Sequence, residues 1–359
     1  MVDDYHDGRT LAGSEEGGYG GRVIRWTLLV ALACALGCGS ELPREISVAT
    51  TREVRESEPA PPTSTPLRVA VVSDLNGSYG SRSYGDAVHG AVERIRALSP
   101  DLVLSTGDMV AGQRAGLDYA GMWEGFHRAV SDELARADIP FAVSAGNHDG
   151  SAYPSFAHER AVYVEQWLAR RPELAFQDET HFPLRYSFVA GPALFIALDA
   201  TTVGPLDDAQ MAWLDRELAR GREHPVKIVF GHVPLYPFAE GRRSDHLGDP
   251  ALEDVLVRHG VSLFLSGHHH AYYPGRRGAL RLVSTACVGG GARPLIGTQQ
   301  RSQRSLLLFE VPEDGVHELD AYGGAGFDRP IDRASLPRQV GLPGMLIHRD
   351  DLHEVLTLH

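Results

Sequence analysis

Lysine is almost missing from this chain of 359 residues: Lys227 is the only one, and arginine supplies the rest of the basic charge. With 34 Lys and Arg against 47 Asp and Glu, the formal net charge is −13. Sequence-independent nucleic-acid binding is therefore not expected, because it needs a basic face to displace counterions. Three cysteines exclude a framework of several disulfides. No internal repeat of fixed period is evident. Hydrophobic residues at 43% and charged residues at 23% are ordinary for a globular chain and exclude wholesale disorder. The length fits two domains or one large α/β domain.

A run long enough to cross a membrane is also missing at the amino end. Arg22 and Arg25 precede an apolar stretch from Trp26 to Gly37. That is too short for a helix spanning roughly 30 Å of hydrocarbon, which takes about 20 residues. It suits the apolar region of a secretory signal. Small residues then lead into Cys38 (Ala35-Leu36-Gly37-Cys38-Gly39-Ser40). This resembles a bacterial lipobox, so residues 1–38 are expected to be an export segment with Cys38 as the lipid-bearing residue. A soluble periplasmic or secreted protein is the alternative. Residues 39–66 are rich in Glu, Pro, Ser and Thr and read as a solvated tether. The expected contact with membrane is through the lipid alone.

From residue 67 the pattern alternates between strand and helix. Near-continuous apolar runs at 67–73, 101–106, 140–145, 227–231 and 261–267 read as buried strands. Amphipathic stretches at 84–98, 117–137, 158–171, 207–222 and 250–259 read as helices. Two β-rich segments, 184–189 and 192–198, interrupt the alternation. After 280 the pattern turns to strands, at 280–286, 305–312 and 316–322. The expected class is α/β, a layered sandwich with mixed sheets over residues 67–322. A carboxyl-terminal extension, 323–359, has no assignment from pattern.

Chemistry concentrates where the strands stop. The ends carry Asp74-Leu75-Asn76, Gly107-Asp108, Gly146-Asn147-His148-Asp149, Gly231-His232 and Gly267-His268-His269-His270. Sites in open α/β sheets form beyond the carboxyl ends of strands. Side chains two apart on an extended segment point the same way, which pairs Asp74 with Asn76 and His268 with His270, and turns His269 away. Glycines before Asp108, Asn147, His232 and His268 permit close approach. Carboxylates, amides and imidazoles together suit manganese, iron or zinc and exclude soft copper(I) chemistry. Any one of these motifs alone is commonly a turn. Their ordered recurrence on successive strand ends carries the reading.

The series resembles the calcineurin-like metallophosphoesterases, including the purple acid phosphatases, over roughly residues 67–286. The resemblance implies a four-layer αββα sandwich and two divalent or trivalent transition-metal ions. One metal would take Asp74, Asp108, His270 and the residue at 76. The other would take Asp108, Asn147, His232 and His268, with Asp108 bridging. His148 would contact substrate oxygen and protonate the leaving group. Two cations close together lower the pKa of a water between them, and the resulting hydroxide attacks phosphorus in line. The chain departs from the family pattern at Asn76, where histidine is usual, and at Ala111, where the purple acid phosphatases carry tyrosine.

The implied activity is hydrolysis of small phosphomonoesters or phosphodiesters. A non-catalytic envelope protein that kept the fold is the alternative. A histidine-based metal buffer would also recruit His6, His89 and His317, which their positions do not suggest. Tyr79 and Gln113, in loops adjacent to the motifs, are candidates to contribute at the first metal site, with an ordinary loop role as the alternative. Arg82, Arg114, Arg242, Arg243, Arg276, Arg277 and Arg293 fall in segments expected to rim the pocket. Asp149 is expected to support its loop, and Cys287 to be a buried thiol at a strand end.

Overall fold

The computed structural model describes residues 65–317 and 319–352. The export segment, Cys38 and most of the tether lie outside the described residues. Among the described residues no helix is long and apolar enough to cross a membrane.

The elements run β1 (Leu67–Val72), α1 (Asp86–Leu98), β2 (Leu102–Ser105) and α2 (Tyr119–Phe126). A π-helical turn, His127–Ser131, leads into α3 (Asp132–Ala135) and β3 (Phe141–Val143). Next come α4 (Asn147–Gly150), α5 (Ala157–Ala169), β4 (Ala175–His181), β5 (Arg185–Ala190) and β6 (Ala193–Ala197). They are followed by α6 (Asp208–Arg220), β7 (Val226–Phe230), α7 (Pro250–Arg258) and β8 (Leu263–Ser266). A run of strands completes the chain: β9 (Tyr273–Arg277), β10 (Leu280–Ser284), β11 (Leu306–Val311) and β12 (Asp320–Gly323), then β13 (Arg329–Pro330), β14 (Gln339–Val340) and β15 (Ile347–Arg349).

These strands form two mixed sheets. The first has the order β13-β12-β11-β1-β2-β3 and the second β14-β15-β9-β10-β8-β7-β6-β5-β4. The motif-bearing strands are parallel: β1, β2 and β3 in the first sheet, β7 and β8 in the second. Alternation along the second sheet shows the layering. Phe195, Ile228, Phe230, Leu263, Leu265 and Val283 join the core shared with β1, β2, α1 and α2. Their neighbours Leu194, Ile196, Val229, Phe264 and Leu282 pack with α6 and α7 instead. Successive residues of a strand face opposite ways, so one sheet lies against the other sheet on one face and against helices on the other. This is the expected sandwich.

Local signals explain the helices that carry this packing. Asp207 caps α6 by accepting from the Gln210 amide at 2.8 Å. Asp249 caps α7 by accepting from Ala251 and Leu252, with Pro250 in the first turn. The helix expected over 117–137 contains the π-helical turn, where the buried His127 ring lies 2.8 Å from Ser131 Oγ.

Three strand regions have no clear pattern in the sequence. β4 is a largely exposed edge strand, so it carries no apolar alternation. β9 contains proline and glycine and is held by pairing with β10 across a tight turn. Residue 322 lies within β12, and residues 323–352 supply β13 to one sheet and β14 and β15 to the other. The anchor of this last segment is electrostatic. Asp350 pairs with Arg281 at 2.8 Å and with Arg333, and all three side chains are at most 13% exposed. Removing one partner of such a buried set leaves uncompensated charge. Asp350→Ala is therefore expected to lower the unfolding free energy by about 3–5 kcal/mol, read by denaturant titration, with metal uptake unchanged.

Candidate metal centre

The two sheets meet at their parallel strand ends, so the motif loops come from both: three from the first sheet and two from the second. Backbone hydrogen bonds lock them together. The Asp74 amide donates to Gly107 O at 2.9 Å, the Asn76 amide to Asp108 O at 3.0 Å, and the Gly267 amide to His232 O at 2.9 Å. Further contacts span the seam between sheets. His268 N donates to Asp74 Oδ2 at 3.1 Å, and His232 Nδ1 lies 2.8 Å from Thr106 O.

Two groups of ligand-type side chains form there: Asp74, Asp108 and His270, and Asp108, His232 and His268. Within each group the donor atoms lie within 4.8 Å of one another, and Asp108 belongs to both. Asn147 joins the second group, with Oδ1 2.9 Å from His232 Nε2. Asn76 borders the first group in the same cleft, its amide nitrogen donating to Val110 O at 3.3 Å. His269 turns away, as expected. Its Nδ1 accepts from Phe238 N at 3.1 Å and its Nε2 reaches Asp245 O at 2.8 Å, which pins the loop between β7 and α7.

The reason for the His268/His270 pairing differs from the expected strand alternation. Asp74, Asp108, His268 and His270 all have positive φ, between 49° and 64°. L residues adopt this region at a cost of order 1–3 kcal/mol each unless the surroundings enforce it. The chain has left the strand before it presents these side chains. Two glycines allow the crowding. A Cβ on Gly146 would lie 2.1 Å from both Asp108 N and Asp108 Oδ1, and one on Gly267 would lie 2.2 Å from Ser73 Oγ.

The electrostatics match a cation-binding set. Asp74 and Asp108 are at most 2% exposed. Burial alone would raise both carboxyls. The neighbouring imidazoles outweigh it, His270 at Asp74 and His232 at Asp108, and hold both below the usual carboxylate range. Burial opposes charge on the two imidazoles as well. Asp108 nevertheless raises His232 to about 9, and Asp74 raises His270 to about 10. Burial and the adjacent His232 push His268 well down.

The hydrogen-bond pattern supplies a direct test of fit. His232 Nδ1 donates to Thr106 O, so Nε2 is the nitrogen turned to the site, where loss of its proton would expose a ligand lone pair. That Nε2 faces Asn147 Oδ1, Asp108 Oδ1 at 3.3 Å and His268 Nδ1 at 3.2 Å. Either a proton on Nε2 or a metal ion in its place satisfies these buried acceptors. Asp74 Oδ1 is buried 3.0 Å from His270 Nε2 and yet has no hydrogen-bond partner. The residues present fit a pair of metal ions.

A cleft of about 220 Å³ opens over the groups, lined by Tyr79, Ala111, His148, Arg242 and Arg293 among others. His148 Nδ1 lies 3.0 Å from Gly112 O, and its ring centroid is 5.4 Å from that of Tyr79. Of the rim arginines, Arg82, Arg243 and Arg277 are paired with Asp118, Glu240 and Glu253. Arg242 pairs with Asp245 at 2.6 Å while still lining the cleft. Cys287 is buried, as expected, with Sγ 3.3 Å from Gly290 O. Asp149 supports its loop: it accepts from the amides of Met109, Val110 and Gly146 at 2.7–2.9 Å. Asp245 has no motif to mark it: it meets the site from the loop between β7 and α7, through Arg242, the His269 staple and a 3.9 Å approach of its Oδ2 to His268 Nε2.

A family model, calcineurin-like phosphoesterase, matches residues 67–272. The chain belongs to the calcineurin-like phosphoesterase family. Purple acid phosphatase 18 of Arabidopsis thaliana is 28% identical over 217 residues, 59% of this chain and 45% of the relative. Tartrate-resistant acid phosphatase type 5 of Oryctolagus cuniculus is 27% identical over 199 residues, 49% of this chain and 57% of the relative. The chain thus spans about half the length of the curated relatives it matches. A purple acid phosphatase from yellow lupin (Lupinus luteus) seeds superposes with a TM-score of 0.58 at 16% identity, covering 76% of this chain and 54% of that one. That likeness shows the fold that this family shares.

The crowding at Gly146 makes a prediction. Gly146→Ala forces the turn away from Asp108, and is expected to destabilise the fold by about 1–3 kcal/mol. The same change should weaken zinc or manganese uptake, measured by titration against a chelator. Uptake equal to wild type would show that the close packing of these loops is not required.

Proposed function

We propose that this protein is an exported, metal-dependent phosphoesterase that hydrolyses small phosphomonoesters or phosphodiesters. The observation that carries the reading is the pair of ligand groups sharing Asp108 beneath an open cleft. Asp74, Asp108 and His270 would hold one ion, with Asn76 in the place where the family usually has histidine. Asp108, Asn147, His232 and His268 would hold the other. Two ions so held neutralise phosphoryl charge and lower the pKa of water for in-line attack.

The chain's own groups complete the chemistry. With Nδ1 donating to Gly112 O, the Nε2 atom of His148 is the one free to pass a proton to the departing oxygen. Arg242 and Arg293, which also line the cleft, favour an anionic substrate in a protein whose net charge is −13. The departures at Asn76 and Ala111 bear on the first ion's affinity, since an amide oxygen is a weaker donor than an imidazole.

The test compares three forms of the metal-loaded protein on aryl and alkyl phosphate esters. His148→Ala should lose about 10²–10⁴ in kcat with metal content unchanged, most on the alkyl esters. Asp108→Asn should lose metal and activity together. Equal turnover in all three would sink the assignment. Fewer than one tightly held metal per chain, with no turnover, would leave the second reading, a non-catalytic envelope protein with this fold.

For location, the reading is a lipid anchor at Cys38 with residues 39–66 as a spacer. Cys38→Ala is expected to abolish fatty-acid labelling and move the protein from the membrane fraction to the soluble one. Labelling unchanged in that variant would overturn the anchor.

A further inference from the structure

We propose that Gln113 is a positioning residue that sets which end of the Asn147 amide faces the metal centre. The inference rests on the reading of Asn147 as a ligand. An asparagine amide has two ends of similar size and opposite character. With the oxygen inward it is a ligand; with the nitrogen inward it repels a cation. Asn147 is only 8% exposed, so solvent cannot select the end.

Gln113 holds the oxygen-inward orientation. Its Oε1 accepts from Asn147 Nδ2 at 2.7 Å. An acceptor at that point admits only the amide nitrogen, and Asn147 Oδ1 is thereby directed to His232 Nε2 at 2.9 Å. A glutamine can present either end of its amide, and with Oε1 toward Asn147 Nδ2 the Asn147 oxygen is left for the site. The Gln113 side chain bonds to Asn147, through which its effect is exerted.

Gln113 is itself held in an uncommon conformation. Its φ is +65°, in the left-handed region. Its amide donates to Glu159 Oε2 at 2.6 Å, and Glu159, on α5, is 2% exposed. The preceding residue is bonded in both directions to His148: Gly112 N donates to His148 O at 3.0 Å, and His148 Nδ1 lies 3.0 Å from Gly112 O. A Cβ at Gly112 would lie 2.4 Å from His148 O and 2.6 Å from Glu159 Oε2. A helix that supplies no residue to the cleft lining therefore braces the loop that orients one ligand. Metal ligands commonly depend on such outer partners, whose loss costs about 10–100-fold in affinity.

The experiment measures zinc and manganese dissociation constants of the full chain by competition with a chelator, beside thermal unfolding of the metal-free form. Gln113→Leu should weaken the tighter ion about 10–100-fold. Gln113→Glu, which keeps an acceptor, should bind at least as tightly as wild type. In an Asn147→Ala background, Gln113→Leu should have no further effect, because the group it acts through is gone. Wild-type affinity in Gln113→Leu overturns the inference, as does a Gln113→Glu defect equal to that of Gln113→Leu. An additive loss in the double variant overturns it too, since that marks a general structural role. If Asn147→Ala itself binds metal normally, the ligand reading fails instead.

Discussion

Two carboxylates almost wholly removed from water, Asp74 and Asp108, govern this molecule. They sit where two sheets meet, in a medium that penalises unpaired charge by several kcal/mol per ion. Each must therefore be matched by donors and by positive charge. Asp74 Oδ2 accepts from Ser73 Oγ and His268 N, Asp108 Oδ1 accepts from His148 N, and imidazoles face the remaining lone pairs. The donors come from loops far apart in sequence. Satisfying these two groups and assembling the site are the same event.

This need explains the local irregularity around the seam. Regular strands would carry the chain past the site in steps too coarse to bring several polar atoms to one point. Left-handed turns at Asp74, Asp108, His268 and His270 re-aim the side chains within one residue. The glycines beside them leave room for backbone and carboxylate to touch. Strain of this kind survives only where surrounding structure over-determines it. The buried Asp149 carboxylate, with three amide donors, and the His269 staple provide that determination without facing the ions.

Most of the sandwich can be read from the chain because its core strands are buried on both faces and appear as apolar runs. The edge strand β4 and the hairpin strand β9 cannot, because neighbours in the sheet hold them rather than their own composition. The last segment escapes pattern for a related reason: its attachment depends on the ion pairs of Asp350 with Arg281 and Arg333, which have no periodic signature. In the centre, the motif residues are legible because each follows a strand. Glu159 and Asp245 are not, since they touch ligands or the ligand loops from outside the motifs, and the part played by Gln113 is not readable from its position alone.

The order of elements, the oxygen-and-nitrogen character of the donors and their place after successive strands are properties of the linear chain, set by local periodicity and residue type. The division of those donors into two groups with Asp108 in common was decided in three dimensions. So was the inward turn of the Asn147 oxygen. Each depends on side chains tens to hundreds of residues apart meeting across the packed faces of two sheets. A backbone rotation at a single left-handed residue is enough to move a ligand atom into or out of reach, and nothing in local composition specifies that rotation.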